Sequence, residues 1–224
     1  MKYDWVLFDA DETLFHFDAF KGMQLMFSRF GVDFTYKDYT EYQEVNKPLW
    51  VAYQNGSIDA QELKHSRFFQ WSEKLGKTTI ELNSAFLNAM ADICTLLPGA
   101  KELIRVLFGR AKLGIITNGF TELQAVRLER TGMREFFDQV IISEQVGVAK
   151  PDSKIFNYAL EKMENPCKSK VLMVGDTLHS DILGGMNCGI ETCWLNRNNE
   201  TKEAGIEPTY TVTSLFELKK LLTS

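Results

Sequence analysis

Residues 4–15 read DWVLFDADETLF, and this stretch decides how the chain folds. Its first part, residues 4–8, is a short and largely apolar run that is typical of a buried strand. Two carboxylates, those of Asp9 and Asp11, follow the run directly, and Thr13 comes two residues later. In open α/β sheets, ligands bind beyond the carboxyl ends of the strands. The stretch therefore predicts a strand that delivers two acidic side chains to a binding crevice.

Four similar apolar runs recur further along the chain. They are KLGIIT (112–117), QVIIS (139–143), KVLMVG (170–175) and ETCWL (191–195). Helical spacing of apolar residues lies between them, at 98–107, 121–131 and 151–163. Strands that alternate with helices form βαβ units and a mostly parallel sheet covered on both faces. The predicted fold class is therefore α/β, with a Rossmann-like parallel sheet as its core.

The segment 16–95 contains no comparable run and shows helical spacing instead. Its first helix carries an aromatic stripe, formed by Phe17, Phe20, Phe27 and Phe30. Thr35-x-x-Asp38 and Ser57-Ile-Asp59 indicate helix starts, and Pro48 is expected to kink or interrupt the second helix. We therefore predict an all-helical domain over 16–95, inserted into a core domain formed by 1–15 and 96–224.

Polar residues follow the later strands at corresponding places. Thr117 and Asn118 end the run at 112–117, Lys150 lies just before a helix, and Asp176 follows the run at 170–175 with Asp181 shortly after. A lone Asp-x-Asp is ordinary in a solvated turn. Polar clusters in this order, each beside a strand, instead predict one site at one edge of the sheet.

The predicted site gathers four carboxylates, those of Asp9, Asp11, Asp176 and Asp181. Two like charges ~4 Å apart repel by about 4 kcal/mol at an effective dielectric constant near 20. A hard divalent cation relieves this repulsion, and Mg²⁺ suits one or two carboxylates together with a phosphate oxygen. Lys150 adds a positive charge and Thr117 a hydrogen-bond donor. These residue types predict a site for a phosphate group beside Mg²⁺.

The strings FDADETL, ITNG, VAKP and VGD…SD resemble the four signature motifs of the haloacid dehalogenase (HAD) phosphohydrolase superfamily. Longer strings are similar to bacterial pyrimidine 5′-nucleotidases that act on non-standard pyrimidine nucleotides, namely NKPLW, ITNGF, VRLERTG, ISE…VGVAKP and VLMVGDT…SDILGG. The second similarity covers nearly the whole chain. In this superfamily an insert after the first motif is a helical cap, which implies a cap domain over 16–95.

The resemblance implies catalytic roles for the motif residues. Asp9 is the nucleophile that forms an aspartyl-phosphate, and Asp11 is the general acid and base. Thr117 and Asn118 bind the phosphoryl group. Lys150 steadies both Asp9 and the transferring group, so it counts as catalytic and as substrate-binding.

The resemblance also implies a cofactor. Mg²⁺, with Mn²⁺ able to replace it, is bound by Asp9, by the backbone carbonyl of Asp11 and by Asp176. Asp181 is implied as an outer ligand or a support. The metal stabilises charge on the phosphate in the transition state.

The implied substrates are pyrimidine nucleoside 5′-monophosphates such as dUMP and dTMP. Asn46 and Trp50 of the NKPLW string are candidates to contact the base, because an amide and an aromatic ring suit a pyrimidine's polar edge and flat face. Asp11 argues against the dehalogenase branch, which lacks an acid two residues after the nucleophile. The alternatives are a phosphatase of a sugar phosphate or phosphoglycolate, a phosphomutase, and a regulatory binding module without turnover.

Composition argues against several further classes of protein. The 224 residues carry 30 acids against 25 bases, a net charge of −5, which argues against a nucleic-acid partner. No apolar run approaches the ~20 residues of a membrane helix, and the acids near the N-terminus do not fit a signal peptide. The four cysteines show no metal-binding spacing, which predicts reduced thiols in the cytoplasm. No oligomeric state follows from the sequence.

Overall fold

The computed structural model describes all 224 residues. The chain divides into two compact units. One unit comprises Met1–His16, Thr95–Gly119 and Leu128–Ser224, and the other comprises Phe17–Cys94 and Phe120–Arg127. No helix combines the length and the apolar character that crossing a membrane requires.

The strands in chain order are β1 (Trp5–Phe8), β2 (Phe15–His16), β3 (Thr95–Leu96), β4 (Lys112–Thr117), β5 (Gln139–Ile142), β6 (Val171–Gly175), β7 (Glu191–Leu195) and β8 (Tyr210–Val212). Six of them form one sheet in the order β5-β4-β1-β6-β7-β8, and every neighbouring pair is parallel. β2 and β3 form a separate antiparallel pair. The predicted α/β class with a parallel sheet is confirmed.

The helices are α1 (Ala19–Ser28), α2 (Tyr36–Gln54), α3 (Ala60–Ser66), α4 (Phe69–Leu75), α5 (Thr79–Asp92), α6 (Ala100–Leu107), α7 (Thr121–Arg130), α8 (Ser143–Val146), α9 (Ser153–Lys162), α10 (Leu183–Cys188) and α11 (Leu215–Thr223). Every residue of β1 and of β6 is buried. Burial on both faces explains why these strands read as continuous apolar runs rather than as alternating patterns.

Helix α2 begins as the sequence predicts and continues past Pro48. Thr35 caps it and forms a reciprocal capping box with Asp38. The helix then runs through Pro48 to Gln54, so of the two predicted effects of Pro48, a kink or an interruption, the interruption does not occur. A proline inside a helix frees the carbonyl four residues earlier. Here that residue is Glu44, and both it and Pro48 are exposed, so water can satisfy the freed carbonyl.

The segment Phe120–Arg127 groups with the helical unit, whereas the sequence analysis places it in the core domain. The packing of Phe120 gives the physical reason. Its ring centroid lies 5.5 Å from that of Trp50, and the ammonium of Lys64 lies 4.9 Å from the same ring. An aromatic residue directly after the ITNG string therefore belongs to the helical unit.

The register of the sheet brings the carboxyl ends of β1, β4 and β6 close together. Phe8 at the end of β1 pairs with Ile115 in β4 on one side and with Val174 in β6 on the other. The chain leaves β1 for β4 and later returns to β6 on the opposite side, so the strand order reverses at β1. A crevice at such a reversal is where open α/β sheets bind ligands.

Candidate active site

A buried lysine connects three parts of the sheet edge. Lys150, which is 1% exposed, precedes α9 and is joined to Pro151 by a cis peptide bond. Its Nζ donates hydrogen bonds to Oδ1 of Asp9 at 2.6 Å, to Oδ1 of Asp181 at 2.6 Å and to the carbonyl oxygen of Ile116 at 2.7 Å. Three acceptors match the three ammonium protons. Lys150 therefore joins the ends of β1 and β4 to the segment after β6.

Asn118 holds the backbone of Lys150 in place. The Asn118 Nδ2 donates to the carbonyl oxygen of Lys150 at 2.9 Å, and the Lys150 N–H donates to the Asn118 Oδ1 at 2.7 Å. The amide thus bonds to both sides of one backbone position. This contact is a positioning role that the sequence analysis did not anticipate, and the predicted phosphoryl contact of Asn118 stays a prediction.

Thr117 is the last residue of β4 and is 1% exposed. Its Oγ1 accepts a hydrogen bond from the N–H of Gly119 at 3.0 Å, which orients the hydroxyl inside the turn after the strand. A hydroxyl that accepts one bond can still donate its proton. This arrangement is chemically suited to the predicted phosphoryl contact.

Three carboxylates lie close together beside Lys150. One oxygen from each of Asp9, Asp176 and Asp181 falls within 4.8 Å of the others. Gly175 permits this approach, because a Cβ at that position would lie 2.2 Å from the Asp181 Oδ2. The same Oδ2 accepts the N–H of Thr177 at 3.0 Å. A cluster of hard oxygen donors fits a divalent cation such as Mg²⁺ or Ca²⁺.

Asp11 lies outside this cluster of three, in a tight turn after β1. The N–H groups of Leu14 and Phe15 both donate to the carbonyl oxygen of Ala10, at 3.0 and 2.9 Å. Glu12 at the tip of the turn has a φ of +56°, in the left-handed region. Asp11 is partly buried, and its charge acts on the carboxyl of Asp9. The metal contact through its backbone carbonyl stays a prediction.

Burial and neighbouring negative charges both shift the pKa values of the site. Burial, reinforced by Asp181 and Asp11 and opposed by Lys150, raises the pKa of Asp9 to about 7. Burial and the charges of Asp9 and Asp181 raise the pKa of Asp176 to about 8. Burial alone would lower the pKa of Lys150, but Asp181 and Asp9 outweigh it, and this pKa lies above its ordinary value. One lysine does not neutralise the cluster, so protons or a metal ion must do so.

The two predicted base contacts lie in the helical unit. The buried Asn46 accepts from the hydroxyl of Tyr42 at 3.1 Å and donates to the Oε1 of Gln43 at 3.2 Å. The ring centroids of Trp50 and Phe120 are 5.5 Å apart. The amide of Asn46 is engaged within its own helix, and the roles of Asn46 and Trp50 toward a base stay predictions.

Arg67 is a residue that the sequence analysis missed. It is 5% exposed, and both its Nε, at 3.1 Å, and its Nη2 donate to the Oδ1 of Asn83. The rings of Phe68, Phe86 and Phe120 lie 5.0–5.4 Å from the guanidinium carbon, and no carboxylate pairs with it. Burial lowers the pKa of this guanidinium. No motif carries such a residue, because its isolation from anions arises from tertiary packing.

Comparisons with known proteins agree with this geometry. Residues 3–189 match the family described as haloacid dehalogenase-like hydrolase. The chain is 60% identical over 222 residues to the pyrimidine 5′-nucleotidase YjjG of Escherichia coli, covering 99% of both proteins. It is 36% identical to the pyrimidine 5′-nucleotidase PynA of Streptococcus pneumoniae, covering 97% of this chain and 94% of PynA.

The crystal structure of YfnB from Bacillus subtilis bound to magnesium has the same fold. It superimposes with a TM-score of 0.85 at 30% identity, and each chain is covered in full. The family model, the full-length relatives and the shared fold all lead to one assignment. This chain belongs to the family of haloacid dehalogenase-like hydrolases.

Proposed function

We propose that this hydrolase removes phosphate from pyrimidine nucleoside 5′-monophosphates such as dUMP and dTMP. The observation that carries the proposal is the cluster of Asp9, Asp176 and Asp181, in which Asp9 and Asp181 also bond to the buried ammonium of Lys150. Full-length similarity to two pyrimidine 5′-nucleotidases supports the choice of substrate. None of the four cysteines forms a disulfide bond, which fits a reducing compartment, and we propose the cytoplasm as the location.

The proposed reaction has two steps. A carboxylate oxygen of Asp9 bonds to phosphorus while the bond from phosphorus to the ribose 5′-oxygen breaks, and Asp11 gives its proton to that oxygen. Asp11 then takes a proton from water, whose oxygen attacks phosphorus, so that phosphate leaves and the carboxylate of Asp9 is restored. Lys150 holds Asp9 in place through both steps, and Thr117 donates to a phosphoryl oxygen.

The carboxylates of Asp9 and Asp176, with the backbone carbonyl of Asp11, would hold a divalent cation, and Asp181 would support them. The cation lowers the negative charge that the phosphate and the carboxylates share. Mg²⁺ is the proposed ion, and Mn²⁺ can replace it because both favour oxygen ligands in octahedral geometry.

We assign selection of the base to the helical unit. Trp50 supplies an aromatic face, and the polar side chains of Asn46 and Arg67 supply candidates for the base edge. A pyrimidine offers both a flat ring and carbonyl oxygens, so these residue types suit it.

A panel of monophosphates assayed by phosphate release tests the proposal. We expect kcat/KM for dUMP, dTMP and 5-halogenated pyrimidine monophosphates to exceed that for dAMP and dGMP. A preference for a sugar phosphate or phosphoglycolate would reject the nucleotidase while leaving the phosphatase chemistry in place. Asp9→Asn serves as the control for contaminating phosphatases.

A further inference from the structure

An arginine outside the signature motifs holds the residue next to Asp11. Arg197 lies two residues after β7, 185 positions from Glu12. Its Nη1 donates to the Oε2 of Glu12 at 2.9 Å and to the carbonyl oxygen of Glu12 at 3.3 Å. On the other side, the Nδ1 of His16 lies 3.0 Å from the Oε1 of Glu12. Glu12 is therefore held at both carboxylate oxygens and at its backbone.

The backbone at Glu12 needs such support. A φ of +56° is uncommon for a residue that carries a side chain. The N–H of Glu12 donates to the carbonyl oxygen of Phe15 at 2.7 Å, which closes the turn. Asp11 thus lies between the buried end of β1 and a clamped Glu12. A change in the backbone of Glu12 would therefore also displace the neighbouring backbone of Asp11.

Arg197 acts from a braced loop. The Asn196 Nδ2 donates to the carbonyl oxygen of Glu200 at 3.0 Å, and the Glu200 N–H donates to the Asn196 Oδ1 at 2.8 Å. The preceding strand, β7, also holds the backbone of Asp176, because the Trp194 Nε1 donates to the carbonyl oxygen of Asp176 at 2.8 Å. The end of β7 and the loop after it therefore contact both the turn at Glu12 and the backbone of Asp176.

The exposure of the pair argues against a purely stabilising role. The side chains of Arg197 and Glu12 are each 34% exposed. Ion pairs with this much contact with water contribute little to folding. Contact with a backbone carbonyl beside Asp11 is better explained by control of the turn.

We propose that Arg197 is a positioning residue, which directs the carboxyl of Asp11 toward the leaving oxygen by fixing Glu12. The inference rests on the proposed role of Asp11 as general acid. It goes beyond that role by assigning the alignment of the acid to a side chain at the end of β7.

The leaving group provides the decisive readout. A nucleoside 5′-oxygen leaves poorly unless it is protonated, whereas p-nitrophenolate leaves as a stable anion and needs no acid. Misdirection of Asp11 should therefore lower kcat/KM much more for dUMP than for p-nitrophenyl phosphate, because kcat/KM reports formation of the aspartyl-phosphate and not its hydrolysis, in which Asp11 serves both substrates alike. A general loss of structure would slow both reactions alike.

We expect Arg197→Met to lower kcat/KM for dUMP by about 10- to 100-fold and kcat/KM for p-nitrophenyl phosphate by less than about threefold. Arg197→Lys should recover part of the loss, because an ammonium can still bond to Glu12. The matched control is Lys202→Met, which removes a cation paired with Glu207 from the same part of the chain and should change neither rate.

A double-mutant comparison completes the test. In an Asp11→Asn background, Arg197→Met should have almost no further effect on dUMP hydrolysis, since there is no acid left to align. Equal reductions of kcat/KM for the two substrates by Arg197→Met, or a full effect in the Asp11→Asn background, would overturn the inference. If Arg197→Met shows the leaving-group effect but the wild-type enzyme does not prefer pyrimidine monophosphates, only the proposed substrate class is rejected.

Discussion

The affinity of the site for Mg²⁺ should increase steeply with pH. Burial raises the pKa of Asp9 to about 7 and the pKa of Asp176 to about 8. Around pH 6 these carboxyls hold protons in the metal-free protein, and a cation must displace the protons to bind. Above pH 8 the protons have largely left, and binding requires no such displacement.

The size of the effect follows from the two pKa values. Each carboxyl below its pKa lowers the apparent affinity about tenfold per pH unit. Independent titration of both carboxyls would change the dissociation constant by about 500-fold between pH 6 and pH 8, and titration of Asp9 alone would change it by about tenfold. The two groups interact, so we expect a change between about 10-fold and about 500-fold.

The same shifts set how stability depends on pH. A carboxyl whose folded-state pKa is raised binds its proton more tightly in the folded than in the unfolded protein. The metal-free protein should therefore lose stability as pH rises from the ordinary value of 3.8 through about 7 for Asp9 and about 8 for Asp176. Saturating Mg²⁺ should restore it, most strongly at the high end of this range.

Calorimetric titration of metal-stripped protein with MgCl₂ at pH 6, 7 and 8 and constant ionic strength measures the effect. Thermal melts of the same samples measure the stability change. Asp176→Asn should flatten the dependence, because it removes one of the titrating carboxyls. A dissociation constant that stays constant or rises from pH 6 to pH 8 would refute the reasoning about the excess charge.

Four substitutions test other parts of the structure. Asp9→Asn should reduce phosphate release by about 10⁴-fold or more, because an amide cannot form the covalent intermediate; release near the wild-type rate would contradict the mechanism. Lys150→Met leaves two buried carboxylates without their cation and should cost about 3–5 kcal/mol in urea unfolding at neutral pH. Gly175→Ala places a methyl group 2.2 Å from the Asp181 Oδ2 and should cost about 1–3 kcal/mol and weaken Mg²⁺ binding; unchanged binding would show that Asp181 can move freely. Arg67→Met leaves the buried Oδ1 of Asn83 without its two donors and should cost about 1–3 kcal/mol of stability. It should also lower kcat/KM for dUMP about 10- to 100-fold relative to p-nitrophenyl phosphate, and equal reductions for the two substrates would limit Arg67 to a packing role.

The predictability of the fold depended on strand length and burial. Strands such as β1 and β6, buried on both faces, form apolar runs that are easy to recognise. Strand β8 (Tyr210–Val212) at the sheet edge was not predicted, because three residues with only one buried show no pattern. The two-residue strands β2 and β3 were missed for the same reason.

The sequence likewise predicts some parts of the candidate site and not others. Asp9, Thr117 and Asp176 could be placed at one edge because Asp9 and Asp176 directly follow strands and Thr117 ends one, and parallel strands present their ends together. The contacts of Asn118 with Lys150 join residues 32 positions apart, and those of Arg197 with Glu12 join residues 185 apart. Sequence spacing carries no information about such pairs, since they arise from tertiary packing.

The charges of the site couple the binding of the divalent cation to the binding of the phosphate ester. When ionised, Asp9, Asp176 and Asp181 carry three negative charges, and Lys150 returns one positive charge. A phosphate monoester dianion would meet this net negative charge with a repulsion of about 4 kcal/mol for each unit pair at ~4 Å and an effective dielectric constant near 20. One divalent cation brings the sum to zero. Lys150 cannot supply that charge, because its three protons are already committed to protein oxygens. The carboxylates proposed to hold the cation therefore also make phosphate binding depend on it, and by reciprocity a bound phosphate ester should tighten the binding of the cation.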